Sequence, residues 1–169
     1  MSRRRIVPHP LTALLVLVLA GVGVLVWLFV TRPTTNAGRA ADQQALTAAR
    51  QTSVNSASYD YRKIDQQLKV IAGELTGSAL TQFNATKADI KSAVTSQKTV
   101  SSAQVLDSAI VPSAVTGPGV VRTLVALDVT YVVNGGQPQT QPQLLEIDMV
   151  PAPAGGWVAE NISPVTPSA

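Results

Sequence analysis

The chain has 169 residues, with 13 basic and 10 acidic side chains, one histidine and no cysteine. The four arginines of residues 1–32, which include no acidic residue, account for the net positive charge, so the rest of the chain is close to neutral. This distribution does not indicate a nucleic-acid-binding surface, and the lack of cysteine excludes disulfides and thiolate chemistry.

Leu11–Val30 is a run of twenty residues without charge, and Thr12 is its only polar side chain. At about 1.5 Å per residue, a helix of this length covers the roughly 30 Å hydrocarbon core of a bilayer. The run therefore predicts a transmembrane helix, because a buried helix of a soluble core is rarely so long without one charge.

The flanks of this span predict its orientation. Arg3, Arg4 and Arg5 precede it, whereas Arg32 alone lies close behind it. Positive residues stay on the cytoplasmic side, so we expect a cytoplasmic head at residues 1–10 and residues 31–169 outside the cell membrane. A cleaved signal peptide is the alternative, but its apolar region is about 7–15 residues long. The longer run favours an uncleaved anchor.

Residues 31–58 are predicted to form a linker and an Ala-rich helix. After the polar joint Thr31–Gly38, good helix formers fill Arg39–Ala57, with a thin apolar stripe at Ala45, Leu46 and Ala49. Such a helix either forms a stalk or lies across a sheet.

Two further helices are predicted from apolar residues at helical spacing. In Asp60–Leu75 one face carries Tyr61, Ile64, Leu68, Ile71 and Leu75. Ser58 and Asp60 are the expected caps of this helix, and Gly77 suits the left-handed position at its end. Ser78 is the expected cap of the next helix, Ala79–Gln97, whose stripe consists of Leu80, Phe83, Ile90 and Val94.

Four strands are predicted after Lys98: Val100–Val111, Val120–Val133, Leu144–Val150 and Trp157–Val165. The second alternates most regularly and should bury one face, whereas the register of the first is unclear. Asn134-Gly135-Gly136 predicts a turn, and Pro138 and Pro142 should keep their neighbours out of a central ladder. Helices followed by antiparallel strands indicate an α+β domain over residues 59–165, with a frayed tail at residues 166–169.

Candidate catalytic groups are few outside the membrane. His9, the only histidine, lies in the cytoplasmic head, which removes histidine-dependent proton transfer, metal binding and nucleophile activation from the outer domain. The remaining candidates are Asp60, Asp65, Asp107, Asp128, Asp148, Tyr59, Tyr61 and Tyr131.

Each candidate also has a purely structural interpretation. Asp128 and Asp148 fall on polar strand faces, where solvated carboxylates are expected. Asp107 interrupts a mixed strand, so it either faces solvent or points into a cavity, where desolvation would be unfavourable. The aromatic and charged segment Tyr59–Arg62 is explained by capping and packing as well as by a site. We therefore predict no catalytic, cofactor-binding or metal-binding residues and no cofactor.

Several motifs follow one another along the chain: the predicted anchor, the Ala-rich helix, Ser58–Asp65 (SYDYRKID), Leu75–Gly77 (LTG), Phe83, Tyr131–Asn134 (YVVN) and Gly155–Ile162 (GGWVAENI). This succession resembles the Mce-associated membrane proteins of actinobacteria. The resemblance implies a nuclear-transport-factor-like (SnoaL-like) outer domain, with about three helices packed on a strongly curved sheet of four or more strands that forms a cone.

The resemblance also implies a function. It suggests an accessory protein that stabilises or assembles an Mce-type lipid or sterol import complex, with transporter subunits or other envelope proteins, the membrane and a lipid as partners, and no nucleic acid. Because the outer domain has no histidine and no convincing buried pair of acidic residues, we expect this protein to be non-catalytic. Two alternatives remain, because the fold alone does not decide activity. One is a bitopic assembly component of a secretion system, and the other is an anchored SnoaL-like enzyme acting on a lipid-like substrate.

Overall fold

The computed structural model describes residues 36–112 and 119–165. The predicted span Leu11–Val30, the head before it and the last four residues lie outside these ranges. Contacts divide the chain after Arg39, and the fold described below is that of the unit from Ala40 onwards. Within the described ranges, no helix is long and apolar enough to cross a membrane.

The described part of the chain contains three helices followed by four strands. The helices are α1 (Asn36–Ala57), α2 (Ile64–Gly73) and α3 (Gly77–Ser96), and the strands are β1 (Val100–Ile110), β2 (Val121–Val132), β3 (Gln139–Pro151) and β4 (Trp157–Pro164). The strands form one sheet in the order β1-β2-β3-β4, and every neighbouring pair is antiparallel. The predicted α+β architecture is confirmed.

One face of the sheet, here called the inner face, packs against the helices. Its buried residues alternate along β2 and β3, as expected for strands with one face covered. They form one hydrophobic cluster with residues of all three helices: Val125, Leu127, Val129, Leu145, Ile147 and Met149 from the strands, and Ala45, Ala49, Ile64, Leu68, Ile71, Phe83 and Val94 from the helices. Since Ala45 and Ala49 are fully buried in this cluster, α1 packs on the domain and is not a free stalk.

The predicted caps of α2 are wrong. Lys63 occupies the N-cap position and makes no side-chain capping bond, and the helix is shorter than expected at both ends. Asp60 instead accepts a hydrogen bond from the Arg62 backbone N–H at 3.0 Å, which closes a turn before the helix. The Ser58 hydroxyl accepts from the Ala103 backbone N–H at 3.0 Å. Ser58 therefore binds a distant backbone group and Asp60 a local turn, and neither side chain caps α2.

The predicted role of Ser78 is also wrong. Thr76 occupies the N-cap position of α3, and the Ser78 hydroxyl donates to the Glu160 carbonyl in β4 at 2.8 Å. Gly77 has the expected left-handed backbone, with φ of +52°, but it begins α3 and does not end α2. The connection between these two helices is therefore fixed by its contact with β4.

The unclear register of β1 has a physical cause. Val105 pairs with Leu127 and Asp107 pairs with Ala126, which leaves Leu106 as the extra residue of a β-bulge. Before the bulge the partly buried positions are Val100, Ser101, Ala103 and Val105, and after it they are Ser108 and Ile110. A single period of two cannot describe both halves of such a strand.

Strand β3 begins earlier than predicted and includes Pro142. The residue pairs with Asp128 of β2, but β4 pairs with β3 only from Leu145 onwards. The Leu144 carbonyl accepts from Val165 on the β4 side, and backbone groups of alternate residues point the same way, so Pro142 also faces the β4 side, where the described residues provide it with no partner strand. Its missing N–H therefore removes no hydrogen bond to β2.

Candidate functional site

A cavity of about 510 Å³ lies between the helices and the inner face of the sheet. Its floor is apolar and is built from the hydrophobic cluster, with contributions from Ile71, Leu75, Ala79, Phe83, Val129 and Leu145. Its volume falls within the range of roughly 300–1,000 Å³ that is usual for small-molecule sites. The cavity is the main candidate site of this domain.

Several polar groups of the lining are already engaged with protein. The Tyr59 hydroxyl donates to the Ser56 carbonyl at 2.6 Å, and the Ser101 hydroxyl donates to the Ala57 carbonyl at 2.9 Å. Gln82 and Gln143 also line the cavity, and their residues are exposed to solvent. Neutral amides therefore stand where the cavity meets solvent.

The lining of this cavity contains no Asp, Glu, Lys, Arg or His among the described residues. Tyr59 and Tyr131 are its titratable side chains. Burial raises the pKa of Tyr59 above its ordinary value, so its hydroxyl stays protonated at neutral pH. The described lining can donate and accept neutral hydrogen bonds, but it does not pair an acid with a base.

The five candidate aspartates lie elsewhere. Asp60 forms an ion pair with Arg62 at 2.7 Å, and hydrogen bonds from Arg62 lower the pKa of Asp60 to about 2. Asp65 forms an exposed ion pair with Lys91 at 2.6 Å. Neither carboxylate lines the cavity. Asp60 closes the turn before α2 and Asp65 lies in the first turn of α2, and the structure does not bring the two carboxylates together in one site.

The other three aspartates belong to the sheet. Asp107 is exposed and accepts a hydrogen bond from the Ser108 backbone N–H, so the alternative that it points into a cavity is wrong. The bulge places it on the outer face of β1, opposite Ala126. Asp128 also lies on the outer face, half-buried, opposite Pro142. The expectation that Asp148 is solvated is wrong, because its side chain is 13% exposed and binds Arg122 at 2.7 Å.

The motif Ser58–Asp65 joins the helices to the start of β1. Tyr59 and Ser101 exchange two backbone hydrogen bonds, of 3.2 and 2.7 Å. The Gln67 side chain accepts from the Asp60 backbone N–H at 2.8 Å. This segment therefore positions Tyr59 at the cavity, and Tyr61 packs beside the core without lining the cavity.

A second joint connects two other motif segments. The Glu74 carbonyl accepts from the Ala159 backbone N–H at 2.9 Å, and Thr76 donates to the Ala159 carbonyl at 2.8 Å. Leu75–Gly77 thus pairs with the closing segment of the chain at Ala159 and Glu160. These motifs set the position of α3, and through it the position of Phe83 at the cavity.

The Glu74 side chain lies at this second joint and had no signal in the sequence. Asn55 donates to one carboxylate oxygen, and the other is buried without a hydrogen-bond partner among the described residues. Burial raises the pKa of Glu74 above its ordinary value, and the hydrogen bond from Asn55 opposes this shift only in part. The described residues contain no group of three or more His, Cys, Asp or Glu side chains that is placed to hold a metal ion.

This arrangement of helices on a four-stranded antiparallel sheet is the nuclear-transport-factor-2-like fold. It is similar to an IcmL-like type IV secretion system protein from Legionella pneumophila, with a TM-score of 0.60 and 17% identity over 75% of this chain and 95% of that one. The periplasmic domain of DotI is similar with a TM-score of 0.61 and 18% identity, over 71% of this chain and 91% of that one. The VirB8 protein of Agrobacterium tumefaciens is similar with a TM-score of 0.55 and 13% identity, over 73% of this chain and 92% of that one.

At the level of sequence, the chain belongs to the Rv1363c/MT1408-like family of uncharacterized proteins, whose model matches residues 6–158. No curated protein matches the sequence.

Proposed function

We propose that this chain is a membrane-anchored, non-catalytic accessory protein, and that its outer domain stabilises or assembles a protein complex of the cell envelope. One observation carries the proposal: the main cavity is lined by neutral groups, whereas the candidate carboxylates lie outside it. General acid–base catalysis needs a titratable group within hydrogen-bond reach of the reacting proton. A domain built in this way is better suited to binding than to turnover.

The proposed complex is an Mce-type lipid or sterol importer. This choice rests on the sequence resemblance, which extends from the predicted anchor to Gly155–Ile162. The motif segments Ser58–Asp65 and Leu75–Gly77 serve as joints of the fold, and this use is compatible with a family defined by its architecture rather than by a reaction. The proposed location is the cell membrane, with the amino terminus in the cytoplasm and the folded domain outside.

A secretion-system assembly protein is the second candidate. It is favoured by the shared fold with an IcmL-like type IV secretion system protein and with VirB8. At 17% and 13% identity these similarities concern the fold alone, so the Mce-type complex remains the first proposal. The two candidates predict different partners, which can be identified by purifying the tagged full chain after cross-linking in its own cells.

The test compares deletion of the chain with conservative substitutions and measures complex abundance and labelled-lipid uptake together. We expect deletion to lower both. Tyr59→Phe and Tyr131→Phe remove the hydroxyls at the cavity and keep the rings, and Asp107→Asn removes an exposed carboxylate. All three should leave uptake nearly unchanged, because no reaction depends on these protons.

An enzyme would give the opposite result. Loss of a general acid or base typically lowers a rate by about 10²–10⁴-fold without affecting protein levels. Abolished uptake at normal complex abundance in either tyrosine variant would therefore reject the non-catalytic proposal. Normal abundance and uptake after deletion would reject a role in that complex.

A further inference from the structure

We infer that the cavity binds an uncharged, elongated apolar molecule with a hydroxyl or carbonyl head. The body of this ligand lies on the residues of the hydrophobic cluster, and its head contacts Gln143 where the cavity meets solvent. The inference goes beyond the proposed function, because a protein can assemble a complex with its cavity empty. It rests on the lining of the cavity and on the residue pattern of β3.

The inner face of β3 changes character along the strand. Leu145, Ile147 and Met149 are buried, whereas the preceding inner-face positions, Gln139, Gln141 and Gln143, are exposed. These glutamines lie opposite Tyr131, Val129 and Leu127 of β2. Where β3 is no longer paired with β4, the apolar side chains of its inner face therefore give way to a row of neutral amides.

The innermost of these amides, Gln143, lines the cavity directly beside Leu145. Gln82 lines it from α3, and neither amide has a hydrogen-bond partner for its side chain among the described residues. An amide both donates and accepts hydrogen bonds and carries no charge. The free amides at the mouth are therefore matched to a hydroxyl or carbonyl head.

The same lining disfavours a charged head. A carboxylate or ammonium group that enters an apolar site loses hydration, and this is unfavourable unless an opposite charge replaces the water. No described residue of the lining supplies such a charge. The apolar floor of Ile71, Leu75 and Phe83 accommodates the body of the ligand, since burial of apolar surface favours binding.

The experiment uses three probes with the same chain: 1-dodecanol, dodecyl sulfate and dodecyltrimethylammonium, each kept below the concentration at which it forms micelles. The full protein is held in amphipol, and each unlabelled probe displaces tritiated 1-dodecanol, with empty amphipol as the blank. For the unmodified chain we expect saturable binding, with the alcohol displacing the label at concentrations at least ten-fold lower than either charged probe.

A charge placed at the mouth tests whether the probes bind in the cavity or at the apolar segment Leu11–Val30. Gln143→Lys should improve displacement by dodecyl sulfate at least ten-fold relative to the unmodified chain. Gln44→Lys is the matched control, because Gln44 is exposed on α1 and does not line the cavity. Both glutamines are exposed, so the variants should keep the fold, which circular dichroism checks.

Three results would overturn the inference: no saturable binding of the alcohol, equal displacement by the three probes, or the same response to dodecyl sulfate in Gln143→Lys and Gln44→Lys. None of them bears on complex abundance after deletion, so failure here is distinguishable from failure of the proposed function.

Discussion

Gly77 lies against Glu160 so closely that a β-carbon at position 77 would stand 2.8 Å from Glu160 Cγ. The same glycine has a φ of +52°, a conformation that other residues adopt only with strain. Both constraints arise because the connection between α2 and α3 pairs with the end of the sheet. A short glycine-containing motif thereby fixes the start of a twenty-residue helix.

Gly77→Ala should destabilise the domain by at least about 1–2 kcal/mol, because the left-handed conformation is costly for a residue with a β-carbon and Glu160 must also move. Gly73→Ala is the matched control, since nothing lies within 4 Å of the site and its φ is not positive. That change should be neutral or stabilising by up to about 1 kcal/mol. Urea unfolding of the full chain, followed by tryptophan fluorescence, measures both, and equal stability of the two variants would contradict the expectation.

Leu68→Ala should cost roughly 2–5 kcal/mol, as a large-to-small change in a packed core. Leu68 lies in the cluster that includes Ile64, Ile71 and the inner face of β2. The control is Val70→Ala on the same helix, where the side chain is 49% exposed and the expected change is within about 0.5 kcal/mol. The same unfolding measurement applies, and a cost for Leu68→Ala as small as that of the control would mean that α2 is not packed as described.

The Asp60–Arg62 pair predicts a loss of stability in acid. Hydrogen bonds from Arg62 lower the pKa of Asp60 from 3.8 to about 2, so the stabilising contribution is complete above pH 3.8 and is lost as the pH falls through 2. Asp60→Asn should make the unfolding free energy less dependent on pH in this window. Parallel slopes for Asp60→Asn and the unmodified chain would reject this role of the Asp60–Arg62 pair.

Glu74 predicts the opposite pH dependence. Because burial raises its pKa in the folded state, the folded protein holds this proton more tightly than the unfolded chain. Its contribution to stability therefore falls as the pH rises from 4.5 through the higher folded-state pKa. Glu74→Gln should remove this component and be at least as stable as the unmodified chain at pH 8, since an amide oxygen still accepts from Asn55. A less stable variant with an unchanged pH slope would show that the ionised carboxylate is favourable.

The predicted membrane orientation is tested with fusions to the carboxyl terminus. We expect alkaline phosphatase, which is active only outside the cytoplasm, to be active there, because Arg3, Arg4 and Arg5 should hold the amino terminus inside. A cytoplasmic reporter at the same position should be inactive. Reversed activities would reverse the topology, and release of a shortened soluble form would favour a cleaved signal peptide.

The sequence predicted the parts of the fold in which a local pattern and burial agree. Strands β2 and β3 alternate because one face is covered, and α2 repeats every three to four residues for the same reason. The register of β1 was not predicted, because the extra residue Leu106 shifts the alternation of buried and exposed positions halfway along the strand. The caps were wrong because Ser58 and Ser78 bind groups more than 40 residues away, and no local pattern encodes such partners.

The cavity was beyond sequence reasoning for a related cause. Its lining comes from three helices, four strands and the connections between them, so no short segment contains its pattern. Tyr59 and Tyr131 were singled out as tyrosines, but their common cavity depends on the pairing of residues 59 and 101. Glu74 was not predicted, since a single glutamate near a helix end has no distinguishing feature until the fold surrounds it.

Pro142 has a consequence for association between molecules. Among the described residues, the early part of β3 has no partner on the β4 side. An unpaired strand edge can template pairing with a strand of another chain. Pro142 offers no N–H at the centre of that edge, so an incoming strand would find its ladder interrupted there. The edge is thereby protected against aggregation and fibre growth while it stays exposed to solvent. Pro142→Thr restores the missing N–H, and we expect this variant to self-associate in a concentration-dependent way while it remains folded.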